Sequence, residues 1–359
     1  MDAALALAAR GLGRVWPNPA VGCVLVASGR VVGRGWTQPG GRPHGETEAL
    51  RRAGDAAAGA TAYVSLEPCN HWGKTPPCTE ALIGAGVARV VVALEDPDPR
   101  VSGSGVARLR AAGIAVTTGL QAASAADLNA GFFLRIRQGR PLVALKAASS
   151  LDGRIATASG ESRWITGEAA RARGHMLRAR YDAIMVGAET ARADDPDLTC
   201  RLPGLEDRSP VRVVLDSRLR VAPTARLVRT AGQVPTWFVC RPDADAAAAA
   251  VLEAAGVRIL RVDPGEDGRP DIGAALRALG AAGLTRLLVE GGGVLAASLM
   301  KADLVDRIHW FRAPLVIGGD GRAVIGGLGQ RSLGASPRFR RTGVEHVGDD
   351  ALETFARQG

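Results

Sequence analysis

Aromatic side chains are scarce in this sequence: Phe, Trp and Tyr together make up 4% of its 359 residues, and tyrosine occurs only twice. Cores must then be built from Ala, Val, Leu and Ile, and there are too few rings to form a stacking platform for single-stranded nucleic acid. No apolar run approaches the roughly 18 residues that a membrane span requires. The opening stretch Met1–Trp16 has an acid at Asp2 and no basic n-region, so it reads as a helix and not as a secretory signal. A cytoplasmic protein is expected. The net charge of +9 comes from dispersed arginines, without the block of like charge that marks a nucleic-acid tail. Cysteine is limited to five residues, an odd number that argues against a disulfide framework. Cys23, Cys200 and Cys240 lie in or near apolar stretches and are expected to be small buried side chains.

What is present is an ordinary globular balance, 47% hydrophobic and 23% charged, on a chain too long for one compact domain. The basic balance has two readings: an arginine preference of the coding genome, or a phosphorylated substrate or cofactor.

Strand-like and helix-like pieces alternate along the first half. Val21–Ala27 and Arg30–Gly35 flank Ser28–Gly29, which reads as a hairpin. A helix over Glu46–Ala53, a strand over Thr61–Leu66, a helix over Thr79–Gly84 and a buried strand over Ala88–Leu94 follow. Helix Val106–Ala112 and strand Ile114–Thr117 complete a three-layer α/β domain with a parallel half. The Gln138–Pro141 break sets a boundary, giving domains 1–140 and 141–359. Beyond it, Leu142–Lys146, Asp182–Val186, Val211–Leu215, Thr236–Val239, Val257–Leu260 and Arg286–Glu290 read as strands. Helices over Ala244–Ala255 and Ile272–Gly280 between them predict a second α/β domain.

Three pieces of the first half fit one metal site. His44-Gly45-Glu46 opens a helix, Pro68-Cys69 ends a strand, and Cys78 precedes the next helix. One imidazole and two thiolates make three zinc ligands and leave the fourth tetrahedral position to water. Such a water becomes a hydroxide nucleophile near neutral pH. Glu46 is placed to move the proton between that water and a leaving amine, as base deaminases require. The usual signature is H-x-E with P-C-x-x-C; here eight residues separate the cysteines, which moves the chain away from cytidine and tRNA-adenosine deaminases. A structural zinc clip, with His71 as fourth ligand, is the competing reading. In the second half, Gly291, Gly293 and Ala296 fit G-x-G-x-x-A after a strand and at a helix start, where glycines admit a pyrophosphate. A tight structural turn is the alternative.

With Pro17–Gly22, the H-x-E motif and the long Pro68–Cys78 loop, the first half resembles the bifunctional deaminase/reductase family of riboflavin biosynthesis, called RibD or RibG. The second half resembles that family's reductase domain through Lys146–Arg154, Gly160–Thr166, Val186–Thr190 and Asp194–Arg201, so the likeness covers almost the whole chain. It implies a cytidine-deaminase-like three-layer domain followed by a dihydrofolate-reductase-like α/β domain. It also implies Zn2+ and NADPH as cofactors, phosphorylated pyrimidines as substrates, a homo-oligomer, and no nucleic-acid or membrane partner. The first domain would deaminate a 2,5-diamino-6-ribosylaminopyrimidinone phosphate, and the second would reduce the ribosyl group of the product. By this resemblance His44, Cys69 and Cys78 hold zinc, Glu46 is catalytic, and Asn18, His71 and Lys74 line the base pocket. NADPH would meet Ala148, Trp164, Thr190, Asp194, Ser217 and the loop Gly292, Gly293, Val294, Leu295, Ala296, Ala297 and Ser298. Ser162, Arg178, Leu198, Arg201 and Glu290 would meet the reductase substrate. Arg178 and Arg201 suit a phosphate clamp because guanidinium offers paired donors, although either could instead make a surface salt bridge. Asp152, in Leu151-Asp152-Gly153, could simply make a turn. Thr37 and Glu48 stand where many relatives have histidines, and Gly45 where alanine is common. The change at Thr37 puts one substrate contact in question. Two rivals are a deaminase whose second domain has lost catalysis and a zinc-stabilised RNA-binding protein.

Overall fold

A computed structural model describes every residue of the chain except Lys74, Arg100 and Gly359. The chain forms two compact units, Met1–Gly139 and Arg140–Gly359. The first runs α1 (Asp2–Ala9), β1 (Gly22–Ala27), β2 (Arg30–Trp36), α2 (Gly45–Ala53), β3 (Thr61–Val64), α3 (Cys78–Gly84), β4 (Arg89–Val92), α4 (Ser104–Ala111), β5 (Ala115–Thr118), α5 (Ala122–Leu128) and α6 (Ala130–Gln138). Its five-stranded sheet has the order β2-β1-β3-β4-β5. β1 runs antiparallel to both neighbours, while β3, β4 and β5 are parallel.

The expected hairpin is present, with both turn residues, Ser28 and Gly29, at positive φ. The core is aliphatic, centred on Leu25, Val64, Leu82, Val90 and Leu109, and Phe132 and Phe133 of α6 close over it. α6 ends at Gly139, whose φ of 69° provides a left-handed helix stop that glycine adopts without strain. Among the element ends that differ from expectation, that of β3 bears on the site. β3 stops at Val64, so Cys69 lies in the loop beyond it. Pro68 has no N–H to donate to a ladder, and the last main-chain bond before it runs from Glu67 N to Leu94 O at 2.9 Å.

The second unit contains β6 (Leu142–Ser149), β7 (Arg154–Ala156), α7 (Glu168–Arg178), β8 (Ala183–Gly187), α8 (Ala188–Asp194), β9 (Val211–Leu215), α9 (Arg226–Arg229), β10 (Thr236–Cys240), α10 (Ala246–Ala254) and β11 (Arg258–Arg261). After these come α11 (Ile272–Ala281), β12 (Arg286–Val289), α12 (Gly293–Lys301), β13 (Arg307–Arg312), β14 (Arg322–Ala323), β15 (Phe339–Val347) and β16 (Asp350–Arg357). Nine strands form one sheet, ordered β11-β10-β9-β8-β12-β6-β13-β16-β15. The strands from β11 to β13 are parallel, and β16 and β15 extend the sheet antiparallel. A central parallel strand is covered on both faces, and every residue of β10 is buried. At the edge, β15 has only exposed and half-buried residues. Cys23, Cys200 and Cys240 are all buried, as their apolar surroundings predict.

Arg212 of β9 is 1% exposed. Its Nη1 donates to Thr230 Oγ1 at 2.7 Å and reaches Asp197 O at 3.3 Å. Its Nη2 meets the carbonyls of Leu227, Thr230 and Val234 and the Thr236 hydroxyl. Burial brings its pKa down to about 10, so it is still a cation at neutral pH. It ties the Asp197 loop to β9 and α9. Arg212→Met would leave these acceptors buried without a donor. We expect a loss of about 3 kcal/mol, read as a lower urea midpoint of the second unit.

Candidate active sites

The metal-ligand candidates of the first unit converge. His44 is the residue before the first turn of α2, and Cys78 is the first residue of α3. The ligand atoms of His44, Cys69 and Cys78 all lie within 4.8 Å of one another. His44 Nδ1 is 3.3 Å from Cys78 Sγ and 3.5 Å from Cys69 Sγ. Zinc–nitrogen and zinc–sulfur bonds at a tetrahedral angle put such atoms about 3.6 Å apart, so the donor set fits the ion by chemistry and by spacing. A hydrogen bond with Cys78, then burial working against it and the bond to His44, leave the Cys69 thiol at about 4, which favours the ligating thiolate.

Glu46, in the first turn of α2, is 2% exposed. Its Oε2 is buried without a hydrogen-bond partner, as expected of a group waiting for a water or a substrate. Burial raises its carboxyl to about 7, against the opposing pull of His44. A cavity of about 270 Å³ opens on these residues and is lined also by Asn18, His71, Asp96, Asp98, Phe132 and Arg135. His71 lines this cavity as the resemblance implies, with a buried Nδ1 that has no partner. The three-residue cluster does not include it, so the structure gives no support to a four-ligand clip. Asn18 donates to Gly41 O at 3.3 Å and lines the same cavity. Lys74 lies outside the described residues.

The two histidine replacements separate. Thr37 lines the cavity, but its hydroxyl accepts the Val21 N–H at 3.0 Å and it is 2% exposed. Glu48 is not a wall of the cavity; it points along α2 and pairs with Arg51 and Arg52 at 2.9 and 2.8 Å. Asp96 and Asp98 had no assigned role from the sequence. The signal was their place just beyond the carboxyl end of β4, where open α/β sheets bind ligands.

The second unit repeats that rule. Thr190 follows β8, Ser217 follows β9 and Glu290 follows β12. A cavity of about 750 Å³ is lined by Thr190, Ser217, Gly292, Val294, Leu295 and Ser298. Gly291 and Gly292 have φ of 146° and 60°, and α12 starts at Gly293, leaving main-chain N–H groups at its N-terminus. The loop suits a dinucleotide pyrophosphate. A Cβ on Gly292 would come 3.5 Å from Thr190 Oγ1, which brings these two expected contacts together. Gly293 would place a Cβ 2.6 Å from Ala323 O, so another segment packs closely on this turn.

The other expected cofactor contacts are not among the residues lining this cavity. Ala296 and Ala297 are buried in α12, and Ala148 packs near Phe311 and Leu352. Trp164 is 68% exposed, with the Arg171 guanidinium 4.6 Å from its ring. Arg163 beside it donates to Asp194 O at 3.3 Å, which links the Trp164 and Asp194 segments.

Arg178 holds Glu290 through two bonds of 2.8 Å, and its Nη1 donates to Thr199 O at 2.9 Å. Lys146, which carried no role in the sequence reading, has its Nζ 3.8 Å from Glu290. Burial would raise the Glu290 carboxyl, but Arg178 and then Lys146 bring it down to about 2. In this structure the Arg178 charge is thus matched by the Glu290 carboxylate. Arg201 is 52% exposed, with its guanidinium 3.7 Å from Asp197. Leu198 is buried at a φ of 53°, and Ser162 is exposed. Asp152 does more than turn the chain: it accepts from Ser150 Oγ at 2.6 Å, Gly318 N at 2.8 Å and Ile317 N at 3.2 Å. The segment it holds continues to Gly326, whose N–H donates to Gly293 O at 2.9 Å.

Comparison with known proteins agrees with both halves. Residues 141–352 match the RibD C-terminal domain family, and residues 1–94 match the cytidine and deoxycytidylate deaminase zinc-binding region. Riboflavin biosynthesis protein RibD of Escherichia coli is 44% identical, covering 98% of this chain and 96% of its own. The solved RibD of Acinetobacter baumannii, form 1, superposes with a TM-score of 0.89 at 38% identity, covering 100% of this chain and 98% of its own. A diaminohydroxyphosphoribosylaminopyrimidine deaminase/5-amino-6-(5-phosphoribosylamino)uracil reductase of Thermotoga maritima gives 0.86 at 34% identity, over 100% and 97% of the chains.

The Glu290 cluster has a pH signature. A carboxyl that titrates near 4.5 when exposed and at about 2 here stabilises the fold above pH 4.5, and that contribution fades as pH falls towards 2. Glu290→Gln should lose about 3 kcal/mol at neutral pH, with the gap to wild type closing below pH 4.5 in urea unfolding of the second unit.

Proposed function

The chain belongs to the RibD family of bifunctional riboflavin-biosynthesis enzymes, a deaminase joined to an NADPH-dependent reductase, and from that premise we propose how its own residues divide the two reactions. The observation that carries the deaminase assignment is the His44–Cys69–Cys78 cluster with the unpartnered Glu46 oxygen beside it. When bound, zinc supplies a water acidic enough to ionise near neutral pH. Glu46 takes a proton from the attacking water and returns it to the departing amino nitrogen, so that water and the C2 amine become a carbonyl and ammonia. Asn18 and His71 orient the pyrimidine, a reading supported by their place on the cavity wall. Lys74 is proposed to meet the phosphate or a ring carbonyl on the strength of the sequence resemblance.

For the reductase, the turn at Gly292 and the first turns of α12, together Gly292–Ser298, hold the cofactor's pyrophosphate through main-chain N–H groups. Thr190 and Ser217 hold its neighbouring groups, and Ala148, Trp164 and Asp194 belong to its surroundings. When bound, NADPH supplies the hydride for C1' of the ribosyl group. Glu290, oriented by Arg178 and flanked by Lys146, faces the substrate with Ser162 and Leu198. Arg201, whose guanidinium is half exposed, takes the phosphate. A cytoplasmic homo-oligomer is the setting proposed for both reactions. The nine-residue edge strand β15 is where strand pairing could extend. Among the described residues no helix is long and apolar enough to cross a membrane.

The test is a coupled assay on the diaminopyrimidine nucleotide, following ammonia, NADPH and product mass. The wild type should release ammonia without NADPH, and consume NADPH once the deaminated product is present. His44→Ala should lose bound zinc and ammonia release yet still reduce the pre-deaminated substrate. Loss of both activities in this variant would contradict independent sites.

A further inference from the structure

Glu67, a buried carboxylate of the first unit, has no role in the proposed mechanism. Glu67 is 3% exposed and lies two residues before the ligand Cys69. Its two oxygens accept main-chain N–H groups from a distant segment. Oε2 receives Asp96 N at 3.1 Å and Gly103 N at 2.9 Å, and Oε1 receives Gly105 N at 2.9 Å and Val106 N at 3.1 Å. Gly105 and Val106 belong to the first turn of α4, so the carboxylate satisfies orphan donors at a helix N-terminus, where negative charge is favoured.

On the other side of Cys69, Asn70 Nδ2 donates to Ser104 O at 3.3 Å, while its Oδ1 accepts from Thr79 Oγ1 at 2.9 Å. Between them, Pro68 O lies so close to Gly105 that an added Cβ would sit 2.1 Å from it. The zinc-ligand loop therefore grips the 96–106 segment on both flanks of the ligand. That segment carries Asp96, Asp98 and Val101, which all line the deaminase cavity.

We infer that Glu67 and Asn70 form a clamp that fixes the 96–106 wall of the deaminase cavity, making Glu67 a positioning residue for pyrimidine binding. The inference rests on the deaminase reading. An amide in place of the carboxylate would turn an NH2 group towards two of the four N–H donors. The wall would then shift while the metal ligands stay in place.

The test uses the zinc-loaded full-length enzyme, with ammonia release measured against the diaminopyrimidine nucleotide. Glu67→Gln should raise KM about tenfold or more while kcat changes less than about threefold, the scale of losing buried hydrogen bonds that only position the wall. Bound zinc and reduction of the deaminated substrate should match wild type. Asn70→Ala should raise KM by a smaller factor. Gly105→Ala, whose added Cβ would press on Pro68 O and lie 3.1 Å from Glu67 Oε1, wedges the same junction and should raise it too. A wild-type KM in Glu67→Gln would overturn the clamp, as would loss of zinc in step with activity across all three variants. If Glu67→Gln does not fold, the other two decide: an unchanged KM in both overturns the inference, and a raised KM with zinc retained supports it. A wild type that releases no ammonia would instead overturn the deaminase reading.

Discussion

The sulfur atoms of Cys69 and Cys78 and the ring nitrogen of His44 meet because the five-stranded sheet of the first unit brings three separated chain segments together at one end of its strands. His44 arrives at the start of α2, Cys69 on the loop leaving β3, and Cys78 at the start of α3. Two of the three ligands, His44 and Cys78, sit at helix N-termini. Glu46, two residues along α2 from His44, is necessarily carried into the same space and loses its contact with water there. Burial is what moves its carboxyl up to about 7. The His44–Cys69–Cys78 cluster and the buried Glu46 carboxyl are thus consequences of one packing arrangement.

Buried polar groups stabilise the walls around that arrangement. Glu67 gathers N–H groups that would otherwise face an apolar interior, and Thr37 does the same on a smaller scale for Val21. The second unit uses the same device with opposite charge. Arg212 gathers carbonyls and hydroxyls around β9 and holds the Asp197 loop, on which Leu198 and Arg201 lie. Asp152 holds the 317–318 backbone, and the segment beyond returns to the first residue of the cofactor helix. In each case a polar or charged side chain binds main chain, so the geometry of a loop depends on a residue elsewhere in the sequence.

Both units also place their chemistry beyond the carboxyl ends of parallel strands. Asp96 and Asp98 follow β4, Thr190 follows β8, Ser217 follows β9 and Glu290 follows β12. The regularity is topological: neighbouring parallel strands end side by side, so their loops share one crevice. It explains how residues about 100 positions apart, such as Thr190 and Gly292, come to line one cavity.

Local pattern was enough to read the hairpin at Ser28–Gly29, the apolar strands Val211–Leu215 and Thr236–Val239, and the ligand types at His44, Cys69 and Cys78. These depend on periodicity, turn chemistry and donor chemistry, which short stretches carry within themselves. The polar strands Phe339–Val347 and Asp350–Arg357 were not legible, because an edge pair needs no continuous apolar run. Partner identity was equally hidden. Nothing near Arg178 in the sequence says that Glu290 neutralises it, nothing near Glu48 that it turns away from the base cavity, and nothing near Glu67 that it holds α4. The sequence by itself determined which chemical groups are available and the class of reaction they support. Only the tertiary structure decided which of those groups act on ligands and which are bound to the protein's own backbone and charges, because hydrogen bonds and ion pairs are set by proximity in space.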